Sequence, residues 1–101
     1  MYQGVVGLVA FIYLYLANQI TGRQLVAEID RLVSGDFING LSDECMDDFD
    51  DLHENMSLCV WDKHTYDESP ELYINEDELR EYVGLFINKW GSILAGLICQ
   101  K

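Results

Sequence analysis

The sequence predicts an all-α protein: one domain over residues 1–101, folded as an antiparallel four-helix bundle. Three observations predict it. Apolar residues recur at helical spacing in the segments after Tyr2, Thr21, Ser42 and Asn75. Helix-start residues stand directly before the last three of these segments. The connections are mostly short, which makes successive helices antiparallel neighbours. Half of the residues are hydrophobic, enough for a core without disulfide or metal staples.

The first helix is predicted from about Tyr2 to Asn18. Its run from Val5 to Ala17 is thirteen residues without a charge, and the first basic side chain is Arg23, after the run. A signal peptide carries its positive charge before the apolar stretch and a small-x-small site after it, where this chain has Ala17-Asn18-Gln19. A membrane-spanning helix needs about 20 apolar residues. The run therefore reads as a core helix, apolar nearly all round and covered by the other three.

The second helix starts in "ITGRQL". Thr21 is the N-cap and Gln24, three residues on, completes a capping box, with Ile20 and Leu25 placed as a hydrophobic staple. Leu25, Ile29, Leu32 and Val33 form its apolar stripe, and Ser34-Gly35-Asp36 ends it. The third helix is "SDECMDDFDDLHENMSLCVW", capped by Ser42, with Cys45, Phe49, Leu52, Met56 and Cys59 on one continuous face. "DKHTYDESPELYI" lacks a period and reads as a loop with a short extended piece at 72–74. The last helix starts at Asn75, boxed with Glu78 and stapled by Ile74 and Leu79. Its core face is Leu79, Val83, Phe86, Trp90, Ile93 and Leu97. Gly84, Gly91 and Gly96 each weaken it by ~1 kcal/mol relative to alanine, and are expected where helices approach closely.

The formal charge of −12 is concentrated in the middle of the chain. Residues 43–81 hold fifteen acids against Lys63 and Arg80, a net of −13; residues 1–42 carry −1 and residues 82–101 carry +2. Such a surface repels nucleic acid and anionic membrane and attracts basic partners. The three cysteines, Cys45, Cys59 and Cys99, read as reduced thiols in a cytoplasmic protein.

No enzymatic activity is expected, and no catalytic residue. His53 and His64 are the only histidines, and Cys45 and His53 lie eight apart on one helix, too far for a catalytic pair. Phosphate-loop, Gly-x-Ser-x-Gly, Cys-x-x-Cys and His-Glu-x-x-His patterns do not occur. No metal or cofactor is expected either: "DDFDDLHENMSL" lacks the calcium-loop pattern, and a helix fans its carboxylates outward.

With Phe49 turned inward, Asp43, Asp47, Asp50 and Glu54 point away from the core, with Glu44 and Asp51 beside them, and Asp48 is counted with the same candidate surface. Solubility alone explains this face poorly. Pairs such as Asp43/Asp47 and Asp47/Asp51 cost the helix ~0.2–0.5 kcal/mol each, which lysine partners avoid. Leu58 projects near the face, and Trp61 does so if the helix extends that far. Apolar residues beside an acid cluster suit an interface. The loop adds Tyr66, Asp67, Glu68 and Glu71 to the candidate surface.

Two stretches, "YLANQITGRQLVAEI" and "YINEDELREYVGLFINKW", give the chain a family outline. It resembles the colicin D-type immunity proteins, small bacterial self-protection proteins with a helical-bundle fold. In that family an apolar helix passes through a polar turn with Ile-Thr into a second helix. A later Ile-Asp/Asn-acidic start leads to a C-terminal helix ending near Lys and an aromatic. Ile20-Thr21, Ile74-Asn75-Glu76 with Leu79, and Lys89-Trp90 match over about residues 8–90. The tail after Trp90 and "DECMDDFDD" depart from the outline. The resemblance implies an inhibitor that covers the basic tRNA-binding cleft of a cognate toxin's nuclease domain with acidic side chains. Immunity partners of contact-dependent inhibition toxins are of the same kind. The alternatives are an acidic adaptor or scaffold for a basic partner that is not a nuclease, and a membrane-associated protein using the first helix.

Overall fold

The computed structural model describes residues 3–35, 38 and 40–99. Tyr2, Asp36 and Lys101, and the side chain of Cys99, lie outside the described residues. The protein is all-α, with five helices among the described residues: α1 (Gln3–Leu16), α2 (Gly22–Ser34), α3 (Asp43–Ser57), α4 (Lys63–Glu68) and α5 (Glu76–Cys99).

α1 buries Val5, Leu8, Ile12 and Tyr15, one face at steps of three and four. It packs against α2 and α5 but not α3, so the expected cover from three helices is not what forms. Its outer side is open, with Tyr13 53% exposed and Val6 and Leu14 also at the surface. The helix ends in a Schellman arrangement. Asn18 takes the left-handed conformation (φ 61°), the Gln19 N–H donates to Leu14 O at 2.8 Å, and the Asn18 N–H donates to Tyr15 O at 3.0 Å. Arg80 closes the same end from α5. Its guanidinium donates to Leu16 O at 3.2 Å, to Tyr15 O at 3.3 Å and to Asn18 Oδ1 at 2.7 Å. A cation is favoured there by the helix dipole.

The capping boxes form as their spacing predicts. Thr21 Oγ1 accepts from the Gln24 N–H at 3.1 Å and Gln24 Oε1 accepts from the Thr21 N–H at 2.8 Å. Asn75 and Glu78 make the same exchange at 2.9 and 3.2 Å. Ser42 Oγ caps α3 by accepting from the Cys45 N–H. Leu25, Ile29 and Leu32 are buried on α2 while Val33 is exposed, so the stripe is one residue narrower than expected.

α3 stops at Ser57, before the expected Trp61, because the chain turns there into a parallel bridge between Cys59 and Ile74. The Val60 N–H donates to Ile74 O at 3.0 Å and the Ile74 N–H to Leu58 O at 3.1 Å. The segment expected to be a loop then contains α4, whose N-cap Asp62 accepts from the Thr65 N–H at 2.9 Å and from its hydroxyl at 2.6 Å.

On α5 the buried face is Leu79, Val83, Phe86, Ile87, Trp90 and Leu94. Ile93, expected on this face, is 54% exposed, and Leu94 takes its place. The contacts between α3 and α5 explain this. Lys89 lies beside Glu44 and Asp48, Phe86 beside Phe49, and Tyr82 shares a groove with Asn55, so the two helices run in opposite senses. One turn beyond Lys89, α5 has passed the start of α3. The glycines also differ from expectation. A Cβ on Gly84 or Gly96 meets nothing within 4 Å, whereas one on Gly91 sits 3.1 Å from the Tyr13 hydroxyl. Gly22 is tighter still: a Cβ there falls 2.8 Å from the Trp61 ring and 2.6 Å from Glu76 Oε2.

Candidate protein-binding surface

The α3 helix turns Cys45, Phe49, Leu52 and Met56 into the core, which fixes where its carboxylates go. Asp43, Asp47, Asp50, Asp51 and Glu54 are exposed and, among the described residues, form no ion pair. Leu58, the C-cap of α3, is exposed one turn after Glu54 and so continues this face with an apolar side chain.

Asp48 is in a different situation. It is turned towards α5, where it accepts from Lys89 Nζ at 2.8 Å and from the Trp90 indole N–H at 2.7 Å. The Lys89 hydrogen bond, then that of Trp90, holds its carboxyl below the usual range, and the same contact raises Lys89. Glu44 stays exposed with Lys89 3.8 Å away. Asp48 therefore serves the α3–α5 contact more than the outward surface.

Trp61 does not join the α3 face. Because α3 ends at Ser57, the chain folds Trp61 against Gly22, with the Arg23 guanidinium 5.8 Å from the ring centre. Trp61 lines a cavity of about 310 Å³ with Tyr66, Asp67 and Glu76. The Glu78 carboxylate beside Tyr66 pushes its hydroxyl up. Asp67 is 4.0 Å from Lys63 and Glu68 is 3.2 Å from His64, both one turn away along α4; Glu71 is exposed beyond the helix. The sequence-derived candidates thus divide into a contiguous α3 face and a separate cluster around α4.

A feature missed in the sequence lies between α3 and α5. An open groove of about 190 Å³ has the buried Leu52 and Phe86 at its base, Tyr82 and Leu85 at its outer wall, and Asp48, Asp51 and Lys89 at its rim. Leu85 is 60% exposed and Tyr82 37%. The available signal was that Tyr82, Leu85 and Lys89 follow one another at helical steps beside the core stripe of α5.

Cys45 and Cys59 are poorly suited to act as nucleophiles. Burial pushes Cys59 up to about 11 and also raises Cys45. Among the described residues no three His, Cys, Asp or Glu side chains could hold a metal ion, and no helix is long and apolar enough to cross a membrane. No protein-family model, curated protein or solved structure matches the chain.

Proposed function

We propose that the protein is an immunity protein of the colicin D type: a non-enzymatic, cytoplasmic inhibitor of a basic, tRNase-type nuclease toxin. It needs no cofactor and binds neither nucleic acid nor membrane. The carrying observation is the row of exposed carboxylates on α3, Asp43, Asp47, Asp50, Asp51 and Glu54, without cation partners among the described residues. In the complex these groups take the place of RNA phosphates in the toxin's cleft. Leu58 supplies apolar contact at the end of the row. We also infer that the four longer helices form an antiparallel bundle to which α4 is an addition. The opposed α3 and α5 and the short α1–α2 turn support that arrangement.

The electrostatics favour fast capture. An unpaired acidic row steers a basic partner and raises the association rate, an effect that falls steeply with ionic strength. The test is Asp47→Lys/Asp50→Lys/Asp51→Lys, co-expressed with the cognate toxin. Surface substitutions of this kind change stability by about 0.5 kcal/mol or less. The variant is expected to melt near the wild type yet fail to protect cells, with slower association and a weaker salt dependence. A folded variant that protects fully removes the α3 face from the mechanism. Binding to a basic partner without nuclease activity supports the adaptor reading instead.

A further inference from the structure

We propose that the groove between α3 and α5 receives one large apolar side chain, aromatic or long aliphatic, carried on a basic segment of the partner. This rests on the reading of α3 as a surface for a basic protein and specifies what that protein must present.

The groove is built for such an occupant. Its base is apolar, formed by Leu52 and Phe86, each less than a tenth exposed. Leu85 stands 60% exposed at its outer wall, beside Tyr82. A large apolar side chain left in water next to carboxylates gains most when a second apolar group covers it. The volume of about 190 Å³ is adequate for one ring, since a cavity of about 150 Å³ accommodates benzene. The groove is open, so a side chain can enter from a partner's surface.

The rim selects the charge of what flanks that side chain. Lys89, its one cation, is already held by Asp48 at 2.8 Å and has Glu44 at 3.8 Å. Asp51 on the same rim has no ion-pair partner among the described residues, and Asp47, Asp50 and Glu54 continue the negative field along α3. A second copy of this chain would bring its own −12 charge against that field. Like charges juxtaposed at an interface cost several kcal/mol. An apolar anchor in a pocket, surrounded by groups that exclude water, is the usual form of an interface hot spot. Lys or Arg on either side of the anchor complements the rim.

The test uses the full chain and three synthetic peptides: Lys-Arg-Trp-Lys-Arg, Lys-Arg-Ala-Lys-Arg and Glu-Asp-Trp-Glu-Asp. Binding is followed by NMR shifts of Leu52, Leu85 and Phe86 and by titration. The basic tryptophan peptide is expected to bind at least ten-fold more tightly than the other two and to shift the groove residues. Leu85→Asn alters the wall without altering charge, and its melting curve checks that it folds. It should abolish most of the advantage of tryptophan over alanine. Equal affinity for the two basic peptides overturns the groove and leaves the acidic-face reading standing. So does a tryptophan advantage unchanged in a folded Leu85→Asn. Equal binding of the acidic peptide overturns the requirement for a basic flank. No binding of either basic peptide overturns the groove as well, and the acidic face is then judged by the triple-lysine variant alone.

Discussion

The Trp90 indole N–H donates to the Asp48 carboxylate at 2.7 Å, across a contact between residues 42 apart in the chain. Lys89, the neighbouring residue of α5, reaches the same oxygen at 2.8 Å. One carboxylate thus joins α3 to α5 through two donors, and a buried indole N–H without a partner is unfavourable.

Asp48→Ala should therefore lower the melting temperature by a few degrees at neutral pH. The sign of its pH dependence follows from the depressed carboxyl. Its contribution is present above the unfolded-state pKa and is lost as pH falls through the folded one. The difference between wild type and variant should narrow in acid. A gap unchanged down to the lowest pH at which both fold contradicts this role.

Gly22→Ala should destabilise the protein by about 1–3 kcal/mol, the usual cost of overpacking. The new methyl meets the Trp61 ring, which cannot swing aside as freely as the Glu76 carboxylate. Trp61 emission should shift to the red as the ring moves towards water. A stability equal to wild type with unchanged fluorescence counts against the packing of Trp61 on α2.

Thr21→Ala and Asn75→Ala each remove one side of a capping box, with an expected loss of about 1 kcal/mol. The sites are on different helices and should add within about 0.5 kcal/mol. Urea denaturation of the two single variants and the double variant measures this.

Stability should fall on the alkaline side. Burial raises Cys59 to about 11 and Tyr15 to about 12, with Glu76 adding to both. A thiol or phenol whose folded pKa is raised stabilises fully below its unfolded pKa, and that contribution is lost as pH rises through the folded value. The loss begins near pH 9 with Cys59 and continues from about 10 to 12 with Tyr15. Ultraviolet titration should show one tyrosine ionising near pH 12 while the protein stays folded. Complete tyrosine ionisation by pH 11 in the native state overturns the assignment.

The capping boxes were legible because each depends on residues three apart. Thr21 with Gln24 and Asn75 with Glu78 need nothing from the rest of the chain. The core of α3 was legible for a similar reason: Cys45, Phe49, Leu52 and Met56 share a face whatever packs on it. Ile93 was not, because its exposure depends on where α3 begins, about fifty residues earlier. α4 was hidden since it buries no residue and so shows no apolar period, although Asp62 and Thr65 carry its cap. The acidic row was visible as composition. That Asp48 leaves it for Lys89 and Trp90, and that Trp61 folds onto Gly22, depends on long-range contacts that spacing does not encode.

The closure of α1 by Arg80 has a consequence for the order of assembly. Leu16 O, at the C-terminal end of α1, accepts from a residue synthesised 64 positions later. At about 5–20 residues per second, several seconds pass before Arg80 and the rest of α5 emerge. During that interval α2 is the only partner present to cover Leu8, Ile12 and Tyr15, and one flank of an uncharged helix stays bare. The nascent chain is thus most vulnerable to aggregation, and most attractive to chaperones, between the emergence of α1 and that of α5. Docking of α5 is the step that ends this exposure, so truncations before Arg80 should leave a chain that binds chaperones and fails to fold.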